Sequence, residues 1–502
     1  MKNLFWPKLT VWAQAILLFA VFFAFMAGIQ FSTPNMPDND GFYHIKMALI
    51  MREQGLKPDF IWLPLTILNE REFYDHHFLY HVALIPFTFG DLRLGAKWSA
   101  VFFASLSFLA VWWLLRGQKV RYAEFWSLGL LAVSQAFLYR MSITRPLSLS
   151  LSALTLGMHW LLTGKNRHLA VLAFLYVWMY DAFILLPALA AIHLVAVFLT
   201  EGKVNWRPLA CVVAGTILGL VINVYFPHDL VFIYRHLLPK FTNATSISVG
   251  NEWFPYSTGQ LLSNSPLALT LFLIGALGLG LRGKRMDVSL MTAFFAVGVF
   301  GLMLFQARRF IEYFPPFVLI FAALAWSPLL SGSDGIESSE PFPKPIQALY
   351  HKVIPFLLPV LLLFGMYISY RDAVLSIQGS KPYTLYEGAT KWLMANTKPG
   401  ERVFQTDWDD FPRLFYYDSY NTYLIGLDPT YMQLYNPGLY NLWVSITNGK
   451  IYDLSEAIPN EFGAHYVISD LQHGDFINVA ESDPRMREVY RDQESIVFEI
   501  IK

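Results

Sequence analysis

The sequence has a single cysteine, Cys211, in 502 residues, and few charges: Asp, Glu, Lys and Arg together make up 15%. The first scarcity excludes a disulfide framework and a multi-cysteine zinc site. The second lies well below the roughly one quarter of charged residues in ordinary soluble domains. Together with 55% hydrophobic and 17% aromatic residues, it excludes a disordered chain, a nucleic-acid-binding protein and an ordinary cytosolic enzyme. Net charge is also absent, but the zero balances two unlike parts. Residues 371–502 hold 19 acidic and 11 basic residues, a net of −8, which leaves +8 on residues 1–370. The acidic, polar tail is expected to fold in water, and the rest is apolar enough for lipid.

What is present is a series of apolar stretches. Spans are expected near 10–30, 95–115, 123–139, 147–163, 168–181, 183–200, 208–226, 264–281, 287–305, 311–330 and 352–370, eleven in all. The first resembles a signal peptide but is long and lacks a small-residue cleavage site, so it reads as an uncleaved anchor. With Lys2 and Lys8 on the cytoplasmic side, the turns carrying Arg116, Lys119 and Arg121, Lys165 and Arg167, Lys203 and Arg207, Arg282, Lys284 and Arg285, and Lys344 and Lys352 face the same way. An odd number of spans then puts the C-terminal part outside, in a bacterial-type inner membrane or its archaeal equivalent. The long segments 31–94 and 227–263 become outer loops. Residues 78–89 are apolar but too short to span, which suits an interfacial helix. Residues 331–345 read as a flexible cytoplasmic loop. In the tail, an amphipathic helix is expected at 384–396, and strands at 402–406, 421–426, 465–469 and 496–501. The expected fold is a polytopic α-helical membrane domain, 1–370, followed by an external soluble α/β domain, 371–502.

Chemistry concentrates in the first outer loop. It opens Asp38-Asn39-Asp40-Gly41-Phe42-Tyr43-His44, and on a helix Asp40, Tyr43 and His44 share a face. A carboxylate there can bind a divalent cation or take a proton from a hydroxyl; alternatively, Asp38 or Asp40 simply caps the following helix. Further on, Asp75-His76-His77 precede His81, four residues after His77, a metal-ligand spacing on a helix. Asp40, Asp75, His76 and His77 are therefore candidate ligands of Mg or Mn. Interfacial histidines can equally serve only as hydrogen-bonding groups. At the outer ends of spans stand Arg140, Arg145, Asp181, Arg308 and Arg309, with Glu252 in the second outer loop. Basic groups on that side run against the positive-inside bias, and arginine suits phosphate because its fork makes two parallel hydrogen bonds. Against this, Arg308 and Glu312, four apart, offer a simple structural pair.

This order of features resembles the GT-C superfamily of membrane glycosyltransferases: a first span, the run from Asp40 to Lys46, a long outer loop with an interfacial helix, further spans, then an outer α/β domain. It is most similar to the catalytic subunit of oligosaccharyltransferase, whose first loop carries an Asp-x-Tyr/Phe-Tyr-His-x-Arg/Lys pattern. The resemblance implies transfer of a sugar from a polyprenyl phosphate or diphosphate to an acceptor at the outer face. It implies that Asp40, and less directly Asp38, activates the acceptor and binds a metal. Tyr43, His44, Glu252, Arg140 and Arg145 are read as substrate-binding, and Arg308 and Arg309 match the family's phosphate-contacting arginines.

Two departures stand out. The second acidic motif of that subunit has no counterpart in Tyr139-Arg140-Met141-Ser142-Ile143-Thr144-Arg145. The Trp-Trp-Asp-Tyr-Gly motif is replaced by Asp407-Trp408-Asp409-Asp410-Phe411, which reads either as a sugar- or cation-binding run or as a solvated turn. The expected partners are thus a polyprenyl-linked sugar donor, an acceptor of unspecified class and the bilayer. The rival readings are a transporter or lipid flippase, and a non-catalytic membrane scaffold. A transporter predicts ionisable groups at mid-membrane and internal repeats; here the polar groups sit at span ends and no repeat is visible.

Overall fold

The computed structural model describes residues 9–237, 250–282, 286–331 and 354–501. The expected basic groups Lys2, Lys8, Lys284, Arg285, Lys344 and Lys352 lie outside these ranges. So do most of the loop expected at 331–345 and residues 238–249 of the second outer loop.

Among the described residues, five helices are long and apolar enough to cross a membrane: Val11–Gln30, Leu92–Gly117, Asp181–Glu201, Val288–Gln306 and Leu357–Gln378. A sixth span arises if Thr258–Asn264 and Pro266–Leu281, bent by 83° at their junction, are one. The chain is a multi-pass membrane protein. Shorter apolar helices stand at Leu147–Leu162, Arg207–Val221 and Phe314–Leu330. The span expected at 123–139 is instead three short pieces, Ala123–Leu128, Gly129–Leu131 and Gln135–Ser142. The break has a local cause: Ser134 is extended, and its side chain accepts the Phe137 amide, so it starts a new helix rather than continuing the old one. The interfacial element expected at 78–89 is the helix Phe78–Leu84 followed by a 3-10 turn, Ile85–Thr88.

The contacts divide the chain into two compact units. The first comprises Met1–Thr33, Lys97–Gly219 and Gly250–Gly379. It is a helix-on-helix unit with close backbone approaches. A Cβ added to Gly215 would stand 2.1 Å from the Ala170 carbonyl oxygen, so Arg207–Val221 packs directly on Asn166–Met179.

The second unit comprises Pro34–Ala96, Leu220–Val249 and Ser380–Lys502. The first outer loop, expected within residues 1–370, thus groups with the end of the chain. Its centre is a five-stranded sheet in the order β2-β1-β3-β5-β4, built from β1 (Arg402–Gln405), β2 (Thr422–Tyr423), β3 (Tyr466–Asp470), β4 (Met486–Arg491) and β5 (Ser495–Ile500). β1 runs parallel to β2 and β3, while β5 is antiparallel to both β3 and β4. The parallel strands need crossovers: the helix Phe411–Tyr417 joins β1 to β2, and the helices between Thr430 and Ala457 carry the chain to β3. Phe404, Trp443, Phe462, Phe476 and Phe498 lie in the core on the sheet. β4 has no counterpart among the expected strands. Its sequence, Met-Arg-Glu-Val-Tyr-Arg, is mostly exposed at the sheet edge, where charge blunts strand pairing with other chains and erases the apolar alternation.

Candidate active site

In the first unit, three of the expected arginines meet around one expected carboxylate. The helix Gln135–Ser142 carries Arg140 in its last turn, the 3-10 turn Asn251–Trp253 carries Glu252, and the turn Arg308–Glu312 carries Arg308 and Arg309. Arg140 donates from Nη1 to Glu252 Oε2 at 2.8 Å, and Arg145 Nη1 reaches the same oxygen at 3.3 Å. Arg309 Nη1 stands 3.7 Å from the other oxygen, Oε1. Burial pushes the Glu252 carboxyl up, but Arg140, Arg309 and Arg145 outweigh it and hold the group well below the usual carboxylate range. Glu252 is therefore an ionised hub that orients three guanidinium groups.

Behind it, Arg140 also donates from Nε to Glu312 Oε1 at 2.8 Å and from Nη2 to the same atom. The Arg308–Glu312 pair offered by their spacing does not form: Glu312 pairs with Arg140. Arg308 instead stitches two loops together. Its amide donates to the Phe254 carbonyl at 3.0 Å, its Nε donates to the Pro255 carbonyl at 3.2 Å, and its guanidinium lies 5.3 Å from the Tyr256 ring centre. Arg309 donates to the Tyr180 hydroxyl at 2.7 Å and lies over the Trp253 ring at 4.2 Å. A cavity of about 320 Å³ opens here, lined by Gln135, Tyr139, Arg140, Glu252, Arg308 and Arg309 among others. Of the charged side chains lining the hollow, three are arginines (Arg140, Arg308 and Arg309) and one is a carboxylate, Glu252, an excess of positive charge. An oxyanion fits that excess.

In the second unit, Asp40 is the first residue of the helix Asp40–Gln54. Asn39 occupies the cap position without making a side-chain cap bond, so neither Asp38 nor Asp40 serves as the N-cap. The Asn39 side chain instead donates to Asp409 Oδ2 at 2.6 Å and accepts from Arg413 Nε at 2.7 Å, which clamps the helix start to the segment after β1. Tyr43 is buried among His44, Phe60, His81, Phe411 and Phe415.

The run 407–410 is not a solvated turn. Asp407 Oδ1 accepts the Asp409 amide at 3.0 Å, and the buried Asp410 accepts from the Tyr386 hydroxyl at 2.6 Å. Burial, then the charges of Asp407 and Asp38, push Asp409 up to about 6 from 3.8, against the pull of Lys381 and Asn39. The folded chain thus binds more protons than the unfolded one between those two values, so stability falls as pH rises through that window. Asp409→Asn is expected to melt above the wild type at pH 7.5 and to lose this part of the pH dependence. Thermal melts of the full chain in detergent from pH 4 to pH 8 check this, and parallel curves for the two proteins would contradict it.

Asp75 Oδ2 is taken by His81 Nδ1 at 2.7 Å, and Asp75 Oδ1 accepts the His77 amide at 3.0 Å in an Asx-turn that starts the following helix. His76 stacks on Phe232, with ring centres 5.0 Å apart. Among the described residues no group of three or more His, Cys, Asp or Glu side chains is arranged to hold a metal ion. Both oxygens of Asp75 are thus engaged in hydrogen bonds. His81, noticed in the sequence only as the second member of a spaced pair with His77, bonds instead to Asp75 and to His44.

No family model matches the sequence, and no curated protein matches it. Solved structures do. The Archaeoglobus fulgidus oligosaccharyltransferase superposes with a TM-score of 0.67 at 14% identity, over 93% of this chain and 71% of that one. ArnT from Cupriavidus metallidurans, bound to undecaprenyl phosphate, superposes with a TM-score of 0.61 at 15% identity, over 96% and 97%. This chain shares its fold with these two proteins. The mycobacterial arabinofuranosyltransferase AftD superposes over 99% of this chain and 42% of its own length, with a TM-score of 0.57 at 14% identity. At these identities the likeness is one of fold, and residue roles must come from the chemistry of the two clusters.

Proposed function

We propose that this chain is an integral-membrane glycosyltransferase that moves a sugar from a polyprenyl-phosphate-type donor to an acceptor at the outer face. The observation that carries the reading is the arginine cluster around Glu252, a preorganised cationic cradle on a protein with the GT-C fold. Two similar structures hold such lipids: AglB from Archaeoglobus fulgidus is in complex with a dolichol-phosphate, and ArnT with undecaprenyl phosphate. On this reading Arg140, Arg145, Arg308 and Arg309 offset the charge that grows on the departing phosphate, with Glu252 and Glu312 holding the guanidinium groups in place. Asp40 takes the proton of the acceptor as its oxygen attacks the sugar carbon. A divalent cation, Mg or Mn, belongs to the same proposal: held near Asp40, it would offset charge on the departing phosphate.

The membrane arrangement belongs to the same proposal. With Phe78–Thr88 left at the interface, we read eleven crossings: the five long helices, the bent pair Thr258–Asn264 and Pro266–Leu281, Leu147–Leu162, Arg207–Val221, Phe314–Leu330, Asn166–Met179 and the broken 123–142 segment. The basic turns then put the N-terminus in the cytoplasm and residues 371–502 outside.

The test is binding of undecaprenyl phosphate to the full chain in nanodiscs, with undecaprenol as the uncharged control. Arg309→Gln is expected to weaken the phosphate lipid about tenfold, the loss of one charge-assisted hydrogen bond, and to leave undecaprenol unchanged. Equal weakening of both lipids, or of neither, would contradict the cradle. Solute uptake by the protein in liposomes, without sugar transfer, would favour a transporter instead.

A further inference from the structure

The basic turns of the first unit differ in what their side chains do. Arg116 Nη1 donates to Gln14 Oε1 at 2.8 Å and lies 3.6 Å from Glu124 Oε1. Arg121 donates to the Leu330 carbonyl, and its amide donates to the Ser327 hydroxyl at 3.0 Å. Arg282 Nη2 donates to Asp287 Oδ2 at 3.1 Å. These cations link segments of the unit to one another. The turns at 163–168 and 201–207 are different. Lys165, Arg167, Lys203 and Arg207 are exposed, and among the described residues their side chains make no hydrogen bond and no ion pair. Glu201 is the one carboxylate in the two turns, so with His168 neutral they carry a net charge of +3.

Helix packing brings the two turns to one end of the unit. A Cβ added to Gly215 would meet the Ala170 carbonyl oxygen, and one added to Gly219 would stand 2.9 Å from the Phe174 carbonyl oxygen. Trp178 Nε1 donates to the Gly219 carbonyl at 2.8 Å. The contacts advance by four residues on both helices, so Asn166–Met179 and Arg207–Val221 run parallel and start at the same end. Ala170 lies four residues past Asn166 and Gly215 eight past Arg207. At 1.5 Å per residue the two starts differ in level by about 6 Å. The span Asp181–Glu201 finishes at that end too, joined to Arg207 by residues 202–206. The cluster around Glu252 lies at the opposite end of Asn166–Met179, where the C-cap Tyr180 accepts from Arg309. Fourteen residues of helix separate the two sites, about 20 Å.

Exposed apolar side chains mark the depth of the turns. Val204 is 65% and Trp206 63% exposed, in the same turn as Lys203 and Arg207. On the two helices Val171, Leu175, Ile217 and Leu218 are exposed as well, a face that hydrocarbon covers. Trp160 packs against His168, with ring centres 5.2 Å apart. Tryptophan is favoured where hydrocarbon meets headgroups, with cations at the level of the phosphates. A soluble polyanion would leave Val204 and Trp206 in water.

We propose that the turns 163–168 and 201–207 form a binding surface for the headgroups of anionic phospholipids in the adjoining leaflet. Lys165, Arg167, Lys203 and Arg207 contact phosphate, while Val204 and Trp206 seat the turn at the hydrocarbon boundary. Because no group of the unit holds the four cations, reaching a phosphate breaks no internal bond. The surface owes nothing to the glycosyltransferase reading and stands or falls apart from it.

Crosslinking of the full chain in phosphatidylcholine nanodiscs tests this. Trace phosphatidylglycerol or phosphatidylcholine, with a photoactivatable group at the same acyl position, is crosslinked and the labelled peptides are mapped. Phosphatidylglycerol is expected to label the peptides holding 163–168 and 201–207 about tenfold more than phosphatidylcholine does. The combined variant Lys165→Gln, Arg167→Gln, Lys203→Gln and Arg207→Gln is expected to lose that preference, with melting unchanged in phosphatidylcholine alone. Equal labelling by the two lipids in the wild type overturns the proposal, as does a preference that survives in the variant. The wild-type comparison decides the matter by itself if the variant does not insert. Excess inorganic phosphate at constant ionic strength is expected to leave the labelling unchanged. Loss of the phosphatidylglycerol label to phosphate would mark a free-phosphate site and overturn the lipid assignment.

Discussion

Asp40→Asn is expected to lower sugar transfer by about 10²–10⁴-fold, the range lost when a general base is removed. The exchange is nearly isosteric, and Asp40 begins a helix whose start is held by Asn39 rather than by its own carboxylate: Asn39 is bonded to Asp409 at 2.6 Å and to Arg413 at 2.7 Å. The fold should therefore survive. Melting should stay within a few degrees of the wild type, apart from the small loss of a carboxylate in the first helical turn, about 0.3–1 kcal/mol. Binding of undecaprenyl phosphate should not change, because that is assigned to the arginine cluster. The measurement is initial rate at saturating donor, compared at equal amounts of folded protein. Full activity in Asp40→Asn would remove this residue from the chemistry and leave the fold without an assigned base.

Arg140→Met should cost the most in stability. Arg140 is shared by Glu252 at 2.8 Å and Glu312 at 2.8 Å, and Glu312 is 1% exposed, with its Oε2 already lacking a hydrogen-bond partner. Removing the cation strands a buried carboxylate, which typically destabilises by about 3–5 kcal/mol. The double variant Arg140→Met with Glu312→Leu is expected to regain most of that loss, because an apolar pair of similar volume replaces a buried ion pair at little net cost. It should not regain phosphate-lipid affinity, since the cradle stays one guanidinium short. Unfolding of the purified variants in a denaturing detergent series checks the stability claim. A single variant as stable as the wild type would show that Glu312 finds another partner.

The local features that follow from short stretches of chain were legible before any coordinates. The short apolar helical element at 78–89, the helix near 384–396 and four of the five strands come from apolar runs and period-two alternation, which depend on neighbours two to four residues away. The misses share a physical cause. β4 is charged because it lies at a sheet edge, and edges are defined by what does not pair with them. The span expected at 123–139 has sufficient hydropathy, yet Ser134 leaves helical geometry and caps the next segment, an effect hydropathy does not register.

The candidate sites divide the same way. The clustering of His44, His76, His77 and His81 in one loop was visible, but the i,i+4 rule paired His77 with His81. Packing of the helix Asp40–Gln54 against the segment 75–84 joins His81 to His44, 37 positions away, and to Asp75. The arginines at outer span ends stood out as exceptions to the charge bias. Their partners did not, because Arg140 meets Glu252 across 112 positions and Glu312 across 172.

By itself the amino-acid sequence determined that this is a multi-pass membrane protein with an acidic, polar end and a concentration of acid and histidine in the segment after its first apolar run. Those properties are sums over residues and local spacings, and they survive any arrangement of the elements. Only the tertiary structure decided which charges neutralise each other, which stand beside a cavity, and that Asp75 is bonded to His81, itself paired with His44. Pairing energies depend on separations of a few ångströms between distant parts of the chain, and packing alone sets those.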